Sequence, residues 1–398
     1  GPDMLNAIKR MLLDYAIKVR MFTPNARFYL INVIISGVAI GVFRLLFNFY
    51  ALSLGFDEAL LGRLITISSL TSLLVALPMG YLADLLGRKN SLILSGFLLS
   101  AAILGMVLFP TAAAFYTLQI VLGVAQSLAA ITMAPFLMEN SSEQERTYLF
   151  SFGQGLQMLS SFVGNWLGGY LPTWFALRQG LLPTDSQAYA RSLLVVAVMY
   201  FLGLVPLIFL RRNRMVEELR SVFAPVRYAK ENPQLLGKLV IPVLVTSIGA
   251  GLIMPFMNIF FRTVHQQPDT TIGTMFAWGS LAMGIGLLIA PPLADRFGKI
   301  QVVVVTQALS VPFLILLGFS PWFWLSALSY YVRLALMNMS NPVYQTFVME
   351  HVDPQARATV ASLTSMSWNF GWAFSPTISG ILQVNYGFGP AFLGTILT

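Results

Sequence analysis

Gly80-Tyr81-Leu82-Ala83-Asp84-Leu85-Leu86-Gly87-Arg88-Lys89-Asn90-Ser91-Leu92 is a charged, glycine-bearing turn with a long apolar run on either side of it. So short a connection forces two antiparallel helices together. Asp84 and the Arg88-Lys89 pair then stand at a membrane surface, the acid facing a helix N-terminus and the bases facing anionic headgroups. A second copy follows 211 residues on, as Pro291-Pro292-Leu293-Ala294-Asp295-Arg296-Phe297-Gly298-Lys299. There Leu293, Ala294, Asp295 and Gly298 repeat Leu82, Ala83, Asp84 and Gly87 at one offset.

Composition excludes a soluble domain. Hydrophobic residues make up 57% of the chain and charged residues 10%, where a soluble domain carries roughly a quarter charged. There is no cysteine, so neither a disulfide framework nor a thiolate metal site is available, and His265 and His351 are too few and too far apart for a metal centre. Gly1-Pro2 reads as the scar of a cleaved tag, and no signal peptide is expected. The net charge of +8 does not signal nucleic-acid binding, because it gathers in alternate loops.

The paired turns resemble the signature of the major facilitator superfamily, G-x-L-a-D-r-x-G-r-k-x-x-l. Gly80, Leu82, Ala83, Asp84, Gly87, Arg88, Lys89 and Leu92 stand where that pattern places them; Leu85 replaces an Arg, and Pro291 replaces the Gly of the second copy. Gly164-Asn165-Trp166-Leu167-Gly168-Gly169 is similar to the G-P-x-x-G-G element of the superfamily's proton-coupled antiporters, with Asn165 in place of Pro. Its counterpart is Ser375-Pro376-Thr377-Ile378-Ser379-Gly380. Close packing of small residues explains both equally well. The resemblance implies an all-α membrane fold of twelve helices in two pseudo-symmetric bundles of six, with a substrate site near the midplane. It also implies a gate at one face, where Asp84 caps the eleventh span and meets Arg146, and Glu139 and Glu350 with Arg357 complete a latch. Gly80, Gly87, Arg88, Asp295 and Gly298 belong to the same gate; solvated surface pairs are the alternative.

Apolar runs of about 20 residues, the length that crosses the hydrocarbon, fall near 28–53, 60–82, 91–109, 112–138, 147–171, 191–210, 237–261, 271–293, 300–318, 321–349, 356–384 and 388 onward. The last is expected to stop inside a twelfth helix. Residues 1–27 hold the tag scar and a basic amphipathic helix expected to lie on headgroups. Residues 28–210 form one bundle, 211–236 a cytoplasmic linker and 237–398 the second bundle. With the N-terminus inside, 18 of the 24 Lys and Arg residues collect on the cytoplasmic side, which places both termini in the cytoplasm of a bacterial-type inner membrane. A monomer is the expected state.

No nucleophile elbow, phosphate loop or metal motif occurs, so neither an enzyme nor a cofactor is expected. Binding must come from polar groups inside spans. Arg44 lies about 24 Å from the inner end of its span at 1.5 Å per residue, and an intramembrane Arg costs at least about 2.5–3.5 kcal/mol unless a cavity or anion compensates. Asn48 follows one turn on. Arg333 lies near the midplane of span ten, which continues in a polar stripe of Asn338, Asn341, Tyr344 and Gln345. Gln119, Gln126, Gln154, Gln157, Asn258, Trp368, Asn369 and Trp372 are further candidates. Snorkelling, bracing and interhelical packing are the alternatives for all of them. None of the sixteen acids lies mid-span. Coupling to protons would therefore use Asp84, Glu139 or the substrate itself. The cavity is expected to be apolar, aromatic and positively lined. That suits export of amphipathic or hydrophobic organic compounds of drug- or lipid-like type. The alternative is uniport or exchange of an organic anion clamped by Arg44 and Arg333.

Overall fold

The computed structural model describes residues 1–212, 224–267 and 269–397. A basic helix, α1 (Pro2–Arg20), precedes a first bundle of α2 (Pro24–Ser53), α3 (Glu58–Leu74), α4 (Ala76–Leu86), α5 (Arg88–Leu108), α6 (Ala112–Glu139), α7 (Arg146–Gln179) and α8 (Ser186–Ile208). A short helix, α9 (Ala224–Glu231), leads into α10 (Pro233–Ile253), α11 (Met257–Thr263), α12 (Asp269–Phe297), α13 (Lys299–Phe319), α14 (Phe323–Glu350), α15 (Arg357–Tyr386) and α16 (Gly389–Leu397). Helices thus occupy all twelve expected positions, and no strand occurs among the described residues.

Local chemistry sets the helix ends. Thr23, Asp57 and Thr111 each accept a hydrogen bond from the backbone N–H three residues on, capping α2, α3 and α6. The second span is not one straight helix: α3 and α4 meet at 60°. Pro78 has no N–H to offer the Leu74 carbonyl, so the backbone ladder breaks there. The seventh span is interrupted by a 3-10 turn at Met254–Phe256. The stretch expected to be a linker contains α9, and the second bundle begins at Pro233 rather than 237; residues 213–223, with Arg214 and Arg220, lie outside the described residues.

Among the described residues, seven helices are long and apolar enough to cross a membrane alone, and the bent α3–α4 pair makes an eighth. The helices α7, α14 and α15 fall short because polar stripes run along them, including Gln154, Gln157, Asn341, Gln345, Thr364 and Ser365. Those stripes turn inward, where a polar group finds partners.

Within each bundle glycines bring helices together almost backbone to backbone. A Cβ on Gly41 would strike the Ser161 carbonyl of α7, and one on Gly164 would strike the Val38 carbonyl of α2. The other bundle repeats this between α10 and α15, where a Cβ on Gly251 would come within 2.8 Å of Ser375 Cβ. Gly164 and Gly168 of the first segment and Ser375 of its counterpart therefore sit at close helix crossings.

At one end of the molecule, called here the basic face, the bundles share a single core. Tyr29, Phe136, Leu149 and Phe150 of the first bundle join Leu239, Val348, Met349 and Val360 of the second. At the opposite end the cores are separate: Tyr50, Leu64, Met106 and Phe115 in one, Phe260, Phe261, Leu314 and Phe392 in the other. The halves are sealed together at the basic face.

Candidate functional site

A cavity of about 930 Å3 runs between the bundles and into the first of them. It is walled largely by Val33, Ile40, Phe43, Leu64, Leu99, Ile103, Met133 and Met349, with polar groups set among them. Arg44 is the one charged residue in its lining. Arg44 is exposed, lies within electrostatic reach of the Tyr200 hydroxyl, and has no carboxylate partner among the described residues. Asn48, Gln119, Gln126, Gln157, Asn341 and Trp368 line the same space. Gln119 also reaches Met106 Sδ at 3.9 Å.

Three candidates are placed elsewhere. Arg333 is buried between α13 and α14, where Nη1 donates to Ser310 Oγ at 3.4 Å. Its depth matched the cavity, but its direction around the helix axis did not. Asn338 donates to its own helix at the Leu334 carbonyl, and Asn369 to the Ser365 carbonyl, each at 2.9 Å; neither lines the cavity. The side chain of Asn258 lies outside the described residues. Beyond the candidates, the cavity takes in Tyr29, Asn32, Ser36, Ser95 and Tyr200. Serines in apolar helices more often signal packing, so only their shared face with Arg44 could have drawn attention to them. Gln154 Nε2 donates to Gln345 Oε1 at 2.8 Å, one polar tie between the halves at the cavity wall.

The basic face carries a two-fold arrangement of charge. Arg88 on α5 meets Asp84 at 3.1 Å and Glu139 at 3.3 Å. At the same 211-residue offset, Lys299 on α13 meets Glu350 at 2.6 Å. Arg146 of the first half then crosses to Glu350 of the second at 3.5 Å. Its counterpart Arg357 stands within electrostatic reach of Glu139, Arg146 and Arg88. The first half thus contributes Arg88, Arg146, Asp84 and Glu139 to a cross-linked cluster, and the second Lys299, Arg357 and Glu350. Arg146 pairs with Glu350 and Arg88 with Asp84, Glu350 is held by Lys299 as well, and Arg357 stands by Glu139 as in the expected latch. Lys299, absent from the expected gate, is readable from the offset once Arg88 is included.

Backbone geometry sets up these pairs. Gly87 and Gly298 are each the single residue between two helices, at φ of +79° and +93°, where an L side chain is strained. Gly80 lies against Ser362 and the Ala358 carbonyl in the first turns of α15. That contact carries the Asp84 end of α4 toward the positive N-terminus of α15.

Helix α1 adds a third component. It docks one face across both halves. Pro292 lacks an N–H, which leaves the Leu288 carbonyl of α12 without its helical partner. The Tyr15 hydroxyl of α1 donates to that carbonyl. Burial, and secondarily Tyr148, pushes the Tyr15 pKa up, so the hydroxyl keeps its proton. Tyr15 packs edge-on against Tyr148 of α7 at 5.0 Å, and Lys18 reaches the Gln144 carbonyl at 3.1 Å and Asp295 at 3.9 Å. Met4, Leu5, Ile8, Leu12 and Leu13 on α1 remain exposed.

A family model described as Major Facilitator Superfamily matches residues 29–376. The chain is 25% identical over 344 residues to the multidrug resistance protein MdtG of Dickeya zeae, covering 84% of this chain and 80% of that protein. It is 24% identical over 348 residues to MdtG of Enterobacter lignolyticus, covering 84% and 79%. Among solved structures, the E. coli fucose:proton symporter FucP superposes with a TM-score of 0.77 at 12% identity, over 94% of this chain and 95% of FucP. The human organic anion transporter MFSD10 superposes with a TM-score of 0.74 at 16% identity, over 94% and 97%. At such identities the superpositions speak for the fold.

Proposed function

The chain belongs to the Major Facilitator Superfamily, and we propose that it is a secondary carrier that exports amphipathic or hydrophobic organic compounds by alternating access. The observation that carries this reading is a large, mainly apolar cavity sealed at one face by a shared core and by ion pairs that cross between the halves. Such a seal has to come apart for a solute to enter from that face. Each half can move as a body, because the Arg88–Glu139 and Lys299–Glu350 pairs are internal to a half and survive the movement. The basic loops make the sealed face cytoplasmic, with the N-terminal helix on that side of an inner-type membrane. The names of the MdtG relatives favour drug-like cargo. Clamping of an anion by two arginines loses support, since Arg333 is buried away from the cavity.

Protons are the proposed coupling ion. Asp84 and Glu139 are the groups placed to carry them, because both face Arg88 in the seal. The test is flux in proteoliposomes loaded with a panel of lipophilic dyes, single-chain lipids and organic anions. Protein-dependent movement of at least one amphipathic member, dissipated by filling the cavity with Ala130→Trp, is expected. No flux of any amphipathic member, in protein that remains folded, overturns the proposal.

A further inference from the structure

The carrier reading leaves open what the cavity prefers, and its asymmetry bears on that. All six spans of the first half contribute to the lining, while the second half offers only α10, α14 and α15. The space therefore has a limb within the first bundle, between α2, α5 and α8, walled by Ile40, Leu92, Leu99, Ile103 and Leu207. Arg44 stands on α2 beside Tyr200 of α8, with Asn48 a turn along the same face.

Resting on the carrier reading, we infer that the cavity selects single-tailed amphiphiles bearing one negative charge, with the headgroup at Arg44 and the tail in that limb. Charge points this way because the lining holds one cation and no acid. A guanidinium placed at membrane depth without an anionic partner is unfavourable by several kcal/mol, and a ligand anion removes much of that penalty through a charge-assisted bond. Valence points the same way. A doubly charged metabolite would need a second cation, and Arg333 is turned toward Ser310 instead. Size completes the case, since a small hydrophilic anion would leave most of about 930 Å3 unfilled, whereas an apolar limb rewards a chain by roughly 0.8 kcal/mol per buried methylene. A lipophilic cation of equal length meets the same walls but is repelled at Arg44.

The test titrates the full chain in zwitterionic nanodiscs with decanesulfonate, decanol and decyltrimethylammonium, following thermal unfolding against empty-disc controls for partition. Decanesulfonate is expected to half-saturate at a concentration about tenfold below either of the others. Arg44→Gln should bring sulfonate and alcohol together while leaving the alcohol unchanged, and Arg44→Lys should keep the preference. Leu99→Phe, which shortens the limb, should shift the optimum from decane- to hexanesulfonate. Repeating the titration with lysophosphatidylglycerol, a single-tailed anionic lipid, in the discs separates the sources: competition marks a membrane lipid as the occupant, and an unchanged curve marks a soluble amphiphile, both within the inference. Equal affinity for the three probes, no binding of any, or a sulfonate preference that survives Arg44→Gln overturns it. Those results leave the carrier reading standing if dye flux persists; loss of all flux with sulfonate binding intact sinks the carrier reading alone.

Discussion

Replacing Glu350 with Gln should loosen the seal at the basic face. The carboxylate meets Lys299 at 2.6 Å and Arg146 at 3.5 Å, and its side chain is 19% exposed. Only the Arg146 contact joins the two halves, so only that contact depends on which face is shut. A fully solvated pair would contribute about 0–1 kcal/mol, while removing one partner of a buried pair costs about 3–5 kcal/mol. With burial between those limits, about 2 kcal/mol is the working figure. The substitution also leaves Arg146, Lys299 and Arg357 facing one another without an intervening charge, which acts in the same direction. At about 1.4 kcal/mol per tenfold, the population opened at the basic face should rise roughly thirtyfold. The chain has no cysteine, so Val348→Cys, buried in the shared core, reports opening by its alkylation rate with an impermeant maleimide applied from the basic face. A double-mutant cycle with Arg146→Gln isolates the crossing pair. If alkylation of the Glu350→Gln protein rises less than about threefold, or the two substitutions add with no coupling, Glu350 and Arg146 do not hold the halves together, and the reasoning from their geometry is refuted.

Tyr15→Phe strips the Leu288 carbonyl of its partner, a loss of about 1–2 kcal/mol that should speed alkylation of the same reporter about tenfold; no change would mean α1 does not strap the halves. Gly298→Ala forces a side chain to φ of +93° and into the Gln301 carboxamide, whereas Gly87→Ala meets only the strain of its φ. Both should lower the melting temperature, at about 1–2 kcal/mol for the φ term, and Gly298→Ala should lower it further. Gly164→Leu drives a side chain into the α2 backbone at Val38 and should leave little folded protein by size-exclusion chromatography, overpacking beyond about 3 kcal/mol. Arg333→Met removes a buried guanidinium that touches Ser310; ligand binding should be unchanged and stability equal or higher, read by thermal unfolding with and without decanesulfonate.

Span positions were legible in the sequence because apolar length is a property of the chain itself. The seal was half legible: the repeated turn and its 211-residue offset locate every charged member, and applying that offset to Arg88 yields Lys299 as well. Partner choice was not legible. It depends on which helices lie side by side, which is how Arg146 comes to meet Glu350 of the other half. Arg333 shows the same limit from another side. Sequence gives its depth in the membrane, but not that α14 presents it to Ser310 of α13. For α1, the amphipathic pattern gave a helix and a surface location. Its docking partner is a carbonyl freed by Pro292, a defect visible in the sequence that gains meaning only once α1 lies beside α12.

Spin labels at Glu143→Cys and Asp353→Cys, exposed sites on the basic-face loops of the two halves, give the most direct measurement of alternating access. Pulsed distances in nanodiscs should show a short population matching the sealed arrangement and, with transported solute or a proton gradient, a longer one reached by the Glu350→Gln protein even at rest. A single short distance under every condition, in protein shown to move solute, would contradict the movement of one half against the other.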